Sequence, residues 1–381
     1  HVSGIDYSFL NLRNGLLDLY NFVLRDHTPD VFTIRKRDYD YIEYSKEKID
    51  ELLYFWIWCL TDILGQDIKQ VHFLQRIFGW FLIPDISPQK CILLNGGGNN
   101  GKSTICHGIE CVLGEDSVSS LSYTSLSKET SLTALEGKLA NISTEAGGSA
   151  PVATEIFKQL VRGEPIEHDV KYKSAKTLRN VARFVFASNN PIASSDKSDG
   201  FFRSFYIFNL NKKITKEDEA KLLGKMLKRG ALSDNYRLEM TTTGAATFMD
   251  LYLQKISSPL LSWALDGLKQ YLKSGLNPPD VIIENSKRYQ KDQSPILQYV
   301  DSNIVFGDSE RELTSVVFQD FKDFCFKNNF STKYSLYTLS RELKSKFNID
   351  IQTSNAKRMY IGLSVKKEFN KPYGAYERGQ Y

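Results

Sequence analysis

The sequence predicts an α/β protein built on a parallel sheet, with mainly helical segments before and after it. Three observations predict this. Apolar runs at 91–95 (CILLN), 139–143 (LANIS) and 181–190 (VARFVFASNN) read as strands covered on both faces. Segments with helical spacing lie between them, from Ser103 onward and at 151–163 (PVATEIFKQLVRG), the latter with Pro151 near its first turn. Between the first strand and the first helix lies GGGNNGKS, a turn made of small residues that ends in a lysine and a hydroxyl.

That turn meets the pattern G-x-x-x-x-G-K-[ST] from Gly96 to Ser103. Gly96, Gly97, Gly98, Asn99, Asn100 and Gly101 are small enough for successive backbone N–H groups to curl inward on phosphate oxygens. Lys102 reaches toward β- and γ-phosphates, the Ser103 hydroxyl suits Mg²⁺, and Thr104 completes the first helical turn. The helix N-terminus adds its dipole. A ligand-free glycine turn is the plain alternative. The order strand, loop, lysine, hydroxyl, helix argues against it and for a nucleoside triphosphate with Mg²⁺.

The 381 residues exceed one ordinary core, so two or three domains are expected. Hydrophobic residues make up 41% and charged ones 25%, a globular mixture without low-complexity tracts. The net charge of +4 permits a nucleic-acid partner without arguing for one. Cys59, Cys91, Cys106, Cys111 and Cys325 form no CxxC pair, which speaks against a zinc knuckle and for a reducing, cytoplasmic setting. The longest apolar run, 52–60, is too short to span a membrane, and no signal peptide is visible. The chain begins at His1 and is read as a piece of a longer protein.

Four regions follow from the pattern. Residues 1–84 are expected to be mainly helical. They open with a turn at Asn14-Gly15 and a short strand, followed by a loosely alternating strand candidate at 31–44 and helices at 48–64 and 67–81. Residues 85–210 form the α/β core. Residues 211–290 are helical: one helix is closed by Gly230, and another at 257–275 has Ser258 as its cap and Gly275 as its stop, before the break NPPD at 277–280. Residues 291–381 read as three helices and a closing strand.

A phosphate loop needs an acid at the end of a neighbouring strand, and Glu145 follows the strand at 139–143. Its carboxylate suits a general base or support for the magnesium. Asn189 ends the third strand, where an amide can hold the attacking water. Arg203, in an aromatic stretch, suits either a salt bridge or a finger on a neighbour's γ-phosphate. The segment EPIEHDVKYKSAKTLRN reads as a hairpin or an extended loop. Lys171 and Lys173 flank Tyr172 near its tip, as phosphate contacts for a threaded strand or as an ordinary solvated surface. The C-terminal block is basic too, with seven Lys or Arg against three Asp or Glu over 341–368. The histidines lack metal spacing, and Cys106 and Cys111 read as packing residues.

This ordered set resembles superfamily 3 helicases of the AAA+ type, in particular the helicase part of primase-helicases from phages, plasmids and large DNA viruses. NGLLDL at 14–19 resembles the short signature ahead of that core, 96–104 its phosphate loop, Glu145 its acidic motif and LVRGEPIEHDVKYK its basic hairpin. ASNNP at 187–191 resembles its third motif, with Asn189 as sensor, and DKSDGFFR its approach to the arginine finger. SWALDGLKQYLKSG resembles the helix after the core, and the last block a winged-helix tail. Two departures stand out. Many relatives carry paired arginines where this chain has Arg203-Ser204, and Thr144 precedes the lone Glu145.

The resemblance implies a replicative ATP-dependent DNA helicase, a ring (usually a hexamer) moving 3′ to 5′ on single-stranded DNA and opening forks. Lys102, Ser103, Glu145 and Asn189 would act in cis and Arg203 in trans, with a primase-polymerase fused or associated. A DNA-packaging or remodelling translocase, and an origin-binding or ring-scaffolding module with weak ATPase, are the alternatives.

Overall fold

The computed structural model describes residues 5–33, 35–144, 154–168, 176–189, 192, 199–215, 217–218, 221, 252–253, 255–331, 333–354 and 357–366. The chain divides into two compact units, residues 1–287 and 288–381. Among the described residues no helix is long and apolar enough to cross a membrane.

The first unit opens with an antiparallel sheet of three short strands, β1 (Phe9–Leu12), β2 (Gly15–Asp18) and β3 (Val23–Arg25). Leu12 faces Gly15 across a two-residue turn. A Cβ on Gly15 would overlap the Arg25 carbonyl oxygen, so the approach of β3 requires glycine there. The neighbouring Asn14 side chain donates to the Tyr41 carbonyl and accepts from the Tyr41 N–H, which ties the turn to a distant segment.

The alternating stretch at 31–44 is not a strand. It makes one parallel bridge among the described residues, Lys36 to Asn11. Its inward side chains are arginines. Arg35 donates to the Tyr7 carbonyl, and Arg37 donates to the carbonyls of Lys36 and Val112. Buried guanidiniums bonded to loop and helix-end carbonyls hold this segment where a ladder was expected. Burial, with the charges of Arg37 and Arg183 nearby, pushes Arg35 down to about 9.

The helix expected over 48–64 is two helices, α1 (Lys46–Leu52) and α2 (Tyr54–Ile63), which break at Leu53 (φ −95°, ψ 9°). Ser45 caps α1 by accepting from the Lys48 N–H, and Asp67 caps α3 (Ile68–Phe81) by accepting from the Lys69 N–H.

The core is a five-stranded sheet of β4 (Cys91–Asn95), β5 (Val118–Ser119), β6 (Ala140–Ser143), β9 (Arg183–Ser188) and β10 (Phe205–Asn209). All neighbours are parallel, in the order β10-β4-β9-β6-β5. A separate antiparallel pair, β7 (Pro165–His168) and β8 (Lys176–Arg179), lies between β6 and β9 in sequence. The core strands alternate between two apolar environments. Ile92, Leu94, Ile142, Val185, Ala187 and Phe208 join the core that includes Ile105 and Ile109 of α4 (Lys102–Leu113). On the other parity, Phe184, Phe186 and Phe205 pack on Phe157 of α5 (Thr154–Arg162). Covering both faces explains why these strands read as unbroken apolar runs. Val112, whose carbonyl accepts from Arg37, lies in the last turn of α4, so that cation also opposes the negative end of the helix dipole.

After β5 the chain passes through short helical turns, and a further turn, α6 (Asp199–Phe202), leads into β10. Most of the helix expected to close at Gly230 lies outside the described residues. The helix expected over 257–275 is α7 (Ser257–Ser274), stopped by Gly275 at φ +68°. Ser258 is not its cap: the helix begins one residue earlier, Ile256 precedes it, and no side chain caps it.

Helices α3 and α7 cross at two glycines. A Cβ on Gly79 would overlap the Leu268 backbone nitrogen, and one on Gly267 would overlap the Gln75 carbonyl. The helices therefore meet backbone to backbone. The Gln75 amide donates to the Trp263 carbonyl at 2.9 Å, and Trp263 meets Trp56 and Phe78 edge-on. The chain leaves the first unit in α8 (Asp280–Asp292), where Asn285 and Ser286 donate to the Ile207 and Phe205 carbonyls along the edge strand β10.

The second unit contains α9 (Pro295–Asn303), β11 (Ile304–Leu313), α10 (Thr314–Lys327), α11 (Leu336–Phe347), β12 (Asp350–Ser354) and β13 (Lys357–Val365). Its antiparallel sheet has the order β11-β13-β12. Tyr299, Val317, Phe321, Leu339, Leu343, Tyr360 and Leu363 form its core. Three helices and a closing strand were expected, and all four are present. The further strands escaped notice because β11 is polar, contains Gly307 and shifts register between Phe306 and Arg311, while β12 is short and polar.

Overpacking the helix crossing tests its importance. Gly267→Val should cost about 2–3 kcal/mol or more in urea unfolding. Gly97→Ala, where an added Cβ meets nothing within 4 Å, should change stability by less than about 0.5 kcal/mol.

Candidate nucleotide-binding site

Parallel pairing brings three strand ends to one edge. Asn95, at the end of β4, is in register with Ser188 of β9 and Asn209 of β10. The chain leaves β4 here, turns through 96–101 and enters α4 at Lys102. Helices that follow parallel strands start at this edge, where their dipoles favour anions.

The loop is clamped from both sides. Gly96 N–H donates to the Ser188 carbonyl at 3.2 Å, and Leu210 N–H donates to the Asn95 carbonyl at 2.8 Å. The Asn100 amide donates to the Leu210 carbonyl at 2.8 Å, and Ile214 N–H donates to the Asn99 carbonyl at 2.6 Å. Asn99 (φ +55°) and Gly101 (φ +81°) are both left-handed and supply the curl. A Cβ on Gly96 would overlap the Asn100 side chain, and one on Gly101 would overlap Ile63 of α2. At Gly97 and Gly98, by contrast, an added Cβ would meet nothing within 4 Å. The middle of the loop is bare backbone facing open space, which lets a ligand approach its amides closely.

Lys102 closes the curve. Its ammonium donates to the Gly96 carbonyl at 2.8 Å, the Gly97 carbonyl at 2.7 Å and Asn100 Oδ1 at 2.8 Å. All three acceptors are neutral, and no carboxylate among the described residues contacts it. Burial lowers its pKa. A half-buried cation bonded only to neutral groups gains from an anion brought into the curve. Ser103 is exposed in the first turn of α4, and Thr104 beside it is half-buried. These features fit a nucleotide phosphate chain: an open glycine span, a cation with no counter-charge among the described residues, and an accessible hydroxyl at a helix N-terminus.

Asn189 is exposed and follows Ser188, so it stands at the same edge as the loop. Thr144 is exposed where β6 ends. Glu145, Lys171 and Lys173 lie outside the described residues. The segment holding the two lysines is bracketed by β7 and β8, whose last pair is His168 with Lys176. His168 is buried with Nε2 3.5 Å from Glu136 Oε1, and Lys176 Nζ is 3.9 Å from Glu136 Oε2.

Arg203 is elsewhere. It is exposed in the turn after α6, just before β10. Phe205, the first residue of β10, pairs with Cys91, the first residue of β4. Arg203 therefore sits at the amino edge of the sheet, about 16 Å of strand away from the phosphate loop of its own chain. Lys90 lies beside it and donates to its carbonyl. Burial chiefly, with Arg203's charge added, lowers the Lys90 pKa.

Sequence reasoning missed two contacts around the loop. Asn95 Nδ2 donates to Asn209 Oδ1 at 2.8 Å, which joins β4 to β10 beyond their ladder. The signal was present: CILLN and FYIFN both end an apolar run in asparagine. Lys212 Nζ, in the chain leaving β10, is 2.6 Å from Asp62 Oδ1 of α2. Nothing in the spacing of those two residues announces the pair.

Comparison with known proteins finds a family match over residues 94–203, to a family of unknown function, DUF5906. That span runs from the end of β4 through the phosphate loop to Arg203. Among solved structures, the apo C-terminal region of NrS-1 (305–718) is similar, with a TM-score of 0.41 and 11% identity, covering 85% of this chain and 77% of that one. Its A form has a TM-score of 0.39 at 11% identity and 85% and 78% coverage. Both likenesses are distant.

Lys102→Ala should abolish steady-state ATP hydrolysis while circular dichroism stays that of the parent. Turnover within a few-fold of the parent would remove this loop as the nucleotide site.

Proposed function

We propose that the chain is an ATP hydrolase that drives DNA unwinding, a ring helicase of the superfamily 3, AAA+ type. The observation that carries the reading is the Lys102 ammonium, which meets no counter-charge among the described residues, in a glycine-lined curve at the end of a central parallel strand. The nucleotide part rests on this geometry. The coupling to DNA rests on the ordered motifs from NGLLDL to the basic C-terminal block.

In this reading Lys102 binds the β- and γ-phosphates, and the loop amides from Gly96 to Thr104 neutralise the rest of the chain. Magnesium, when bound, offsets phosphate charge, with Ser103 and Glu145 as its protein-side support. Glu145 accepts the proton of the attacking water, and Asn189, at the loop edge, orients that water. Arg203 stabilises charge on a neighbour's γ-phosphate, an effect worth about 10³–10⁵ in rate for arginine fingers. Its place at the amino edge supports a trans role, because about 16 Å of strand separates it from its own loop. Lys171 and Lys173 contact single-stranded DNA in the pore, and the subunits, six in a ring, move 3′ to 5′.

The proposed organisation is an N-terminal region at 1–84, a core at 85–210, a helical region at 211–290 and a winged-helix-like domain at 291–381. The helix-strand-helix-helix-strand-strand order of the second unit supports the last of these.

A forked duplex tests the whole reading. The parent should displace the strand in an ATP-dependent reaction. Lys171→Ala should lose most unwinding and DNA-stimulated turnover but keep basal hydrolysis. DNA-stimulated hydrolysis without displacement would make the chain a translocase.

Mixing tests the ring. Lys102→Ala and Arg203→Ala proteins should each be inactive alone, yet recover part of the ATPase when combined, because some interfaces pair an intact Lys102 with an intact Arg203. Native mass measurement must show that subunits exchange. Mixed assemblies that stay inactive at every ratio would remove the trans role.

A further inference from the structure

We propose that Asp62 and Lys212 are positioning residues of the phosphate loop: their ion pair fastens the chain that leaves β10 as a strap across the loop's left-handed corner. The proposal rests on the reading of that loop as a nucleotide site. It deepens that reading by two residues that none of the sequence motifs contains.

The strap is residues 210–215. Its first residue is tied twice to the loop region: Leu210 N–H donates to the Asn95 carbonyl, and the Leu210 carbonyl accepts from the Asn100 amide, both at 2.8 Å. Four residues on, Ile214 N–H donates to the Asn99 carbonyl at 2.6 Å. Lys212 lies midway between these ties in sequence. Its ammonium is 2.6 Å and 2.5 Å from the two carboxylate oxygens of Asp62, in the last turn of α2. Both residues are half-buried. The next residue of α2, Ile63, fills the space that a side chain on Gly101 would take. One helix end therefore bears on the loop at Gly101 and holds the strap at Lys212.

The tie acts where the loop is most curved. Asn99 (φ +55°) and Gly101 (φ +81°) bracket Asn100. Asparagine tolerates left-handed backbone better than most residues, but such a conformation persists only where its surroundings fix it. Ile214 fixes Asn99, and Leu210 fixes Asn100 through its amide nitrogen, while Asn100 Oδ1 accepts from Lys102 at 2.8 Å. A line of contacts thus runs from Asp62 through Lys212 and Ile214 to Asn99, and through Asn100 to the Lys102 ammonium. Without Asp62 the strap loses its middle anchor, and the loop is curled for a smaller fraction of the time before a ligand arrives. Apparent affinity falls by that fraction.

An ion pair that only stiffens the fold is the plain alternative. Its placement weighs against that: the pair joins segments 150 residues apart beside the loop, between the Ile63 contact and the Ile214 tie. The far end of the strap is fixed as well. Asp218 accepts from the Thr215 N–H at 3.0 Å and from its hydroxyl at 2.8 Å, and lies 3.8 Å from the Lys212 ammonium.

ATP binding and steady-state hydrolysis with Mg²⁺ are measured on the full chain, beside urea unfolding. Asp62→Asn and Lys212→Met should each weaken binding and raise KM roughly five- to twentyfold, with kcat within about twofold of the parent, since a curled loop serves ground and transition states alike. The double variant should lose no more than either single one, and Lys212→Arg should keep the parent affinity. Urea midpoints should stay near that of the parent, because a pair at this exposure contributes little to global stability. Either single variant serves if the other fails to fold. Unchanged KM in a folded variant overturns the proposal, as does a lowered urea midpoint with affinity intact. So do losses that add in the double variant, or tighter binding by Asp62→Asn, which would make Lys212 a phosphate ligand itself. Lys102→Ala separates the two readings. ATP binding that survives it removes the loop as the nucleotide site and the strap's role with it. Binding lost there but unchanged in the Asp62 and Lys212 variants removes the strap alone.

Discussion

The candidate site depends on one constraint, the in-register parallel pairing of β4 between β9 and β10. It sets Asn95, Ser188 and Asn209 level at a single edge. Every clamp on the phosphate loop uses that alignment: Gly96 to the Ser188 carbonyl, Leu210 to the Asn95 carbonyl, Asn100 to the Leu210 carbonyl and Asn95 to Asn209. A slip of one residue would turn each side chain to the opposite face and part these groups together. The three acceptors around Lys102 would disperse with them.

The residues ahead of the loop are part of this support. Ile63 of α2 occupies the space a side chain on Gly101 would take, and Trp56 does the same at Gly108 of α4. Arg37 bonds the far end of α4 through the Val112 carbonyl. The helix that follows the loop is therefore held at its start, middle and end by residues from before β4. The glycine crossing of α3 and α7 lets the later helix lie against the same core, where Trp263 meets Trp56. Such edge-on aromatic pairs contribute about 0.5–1.5 kcal/mol each beyond burial.

The second unit follows a different logic. Its own core fixes α11 through Leu339 and Leu343, and the Ser340–Tyr360 contact fixes the strand pair against that helix. On α11 the exposed Tyr337, Arg341, Lys344 and Ser345 fall opposite Leu339 and Leu343 by helical spacing.

The sequence by itself determined the parallel-sheet class, the three long core strands, the glycine-rich turn between β4 and α4 and the stop of α7 at Gly275, because each is written in local periodicity or in a residue type that only one backbone tolerates. It also determined which residue types could do phosphate chemistry. Tertiary structure decided the rest. The stretch at 31–44 alternates like a strand, but its inward arginines find carbonyls at Tyr7 and Val112 and form no ladder. The polar strands β11 and β12 exist only through pairing with β13, a contact no local pattern encodes. Asp62 and Lys212 meet across 150 residues of chain, and Arg203 stands at the opposite edge of the sheet from the loop. Spacing along a chain fixes a residue's face on its own element, but its distance from another element is set by strand order and register, which arise only when the sheet assembles.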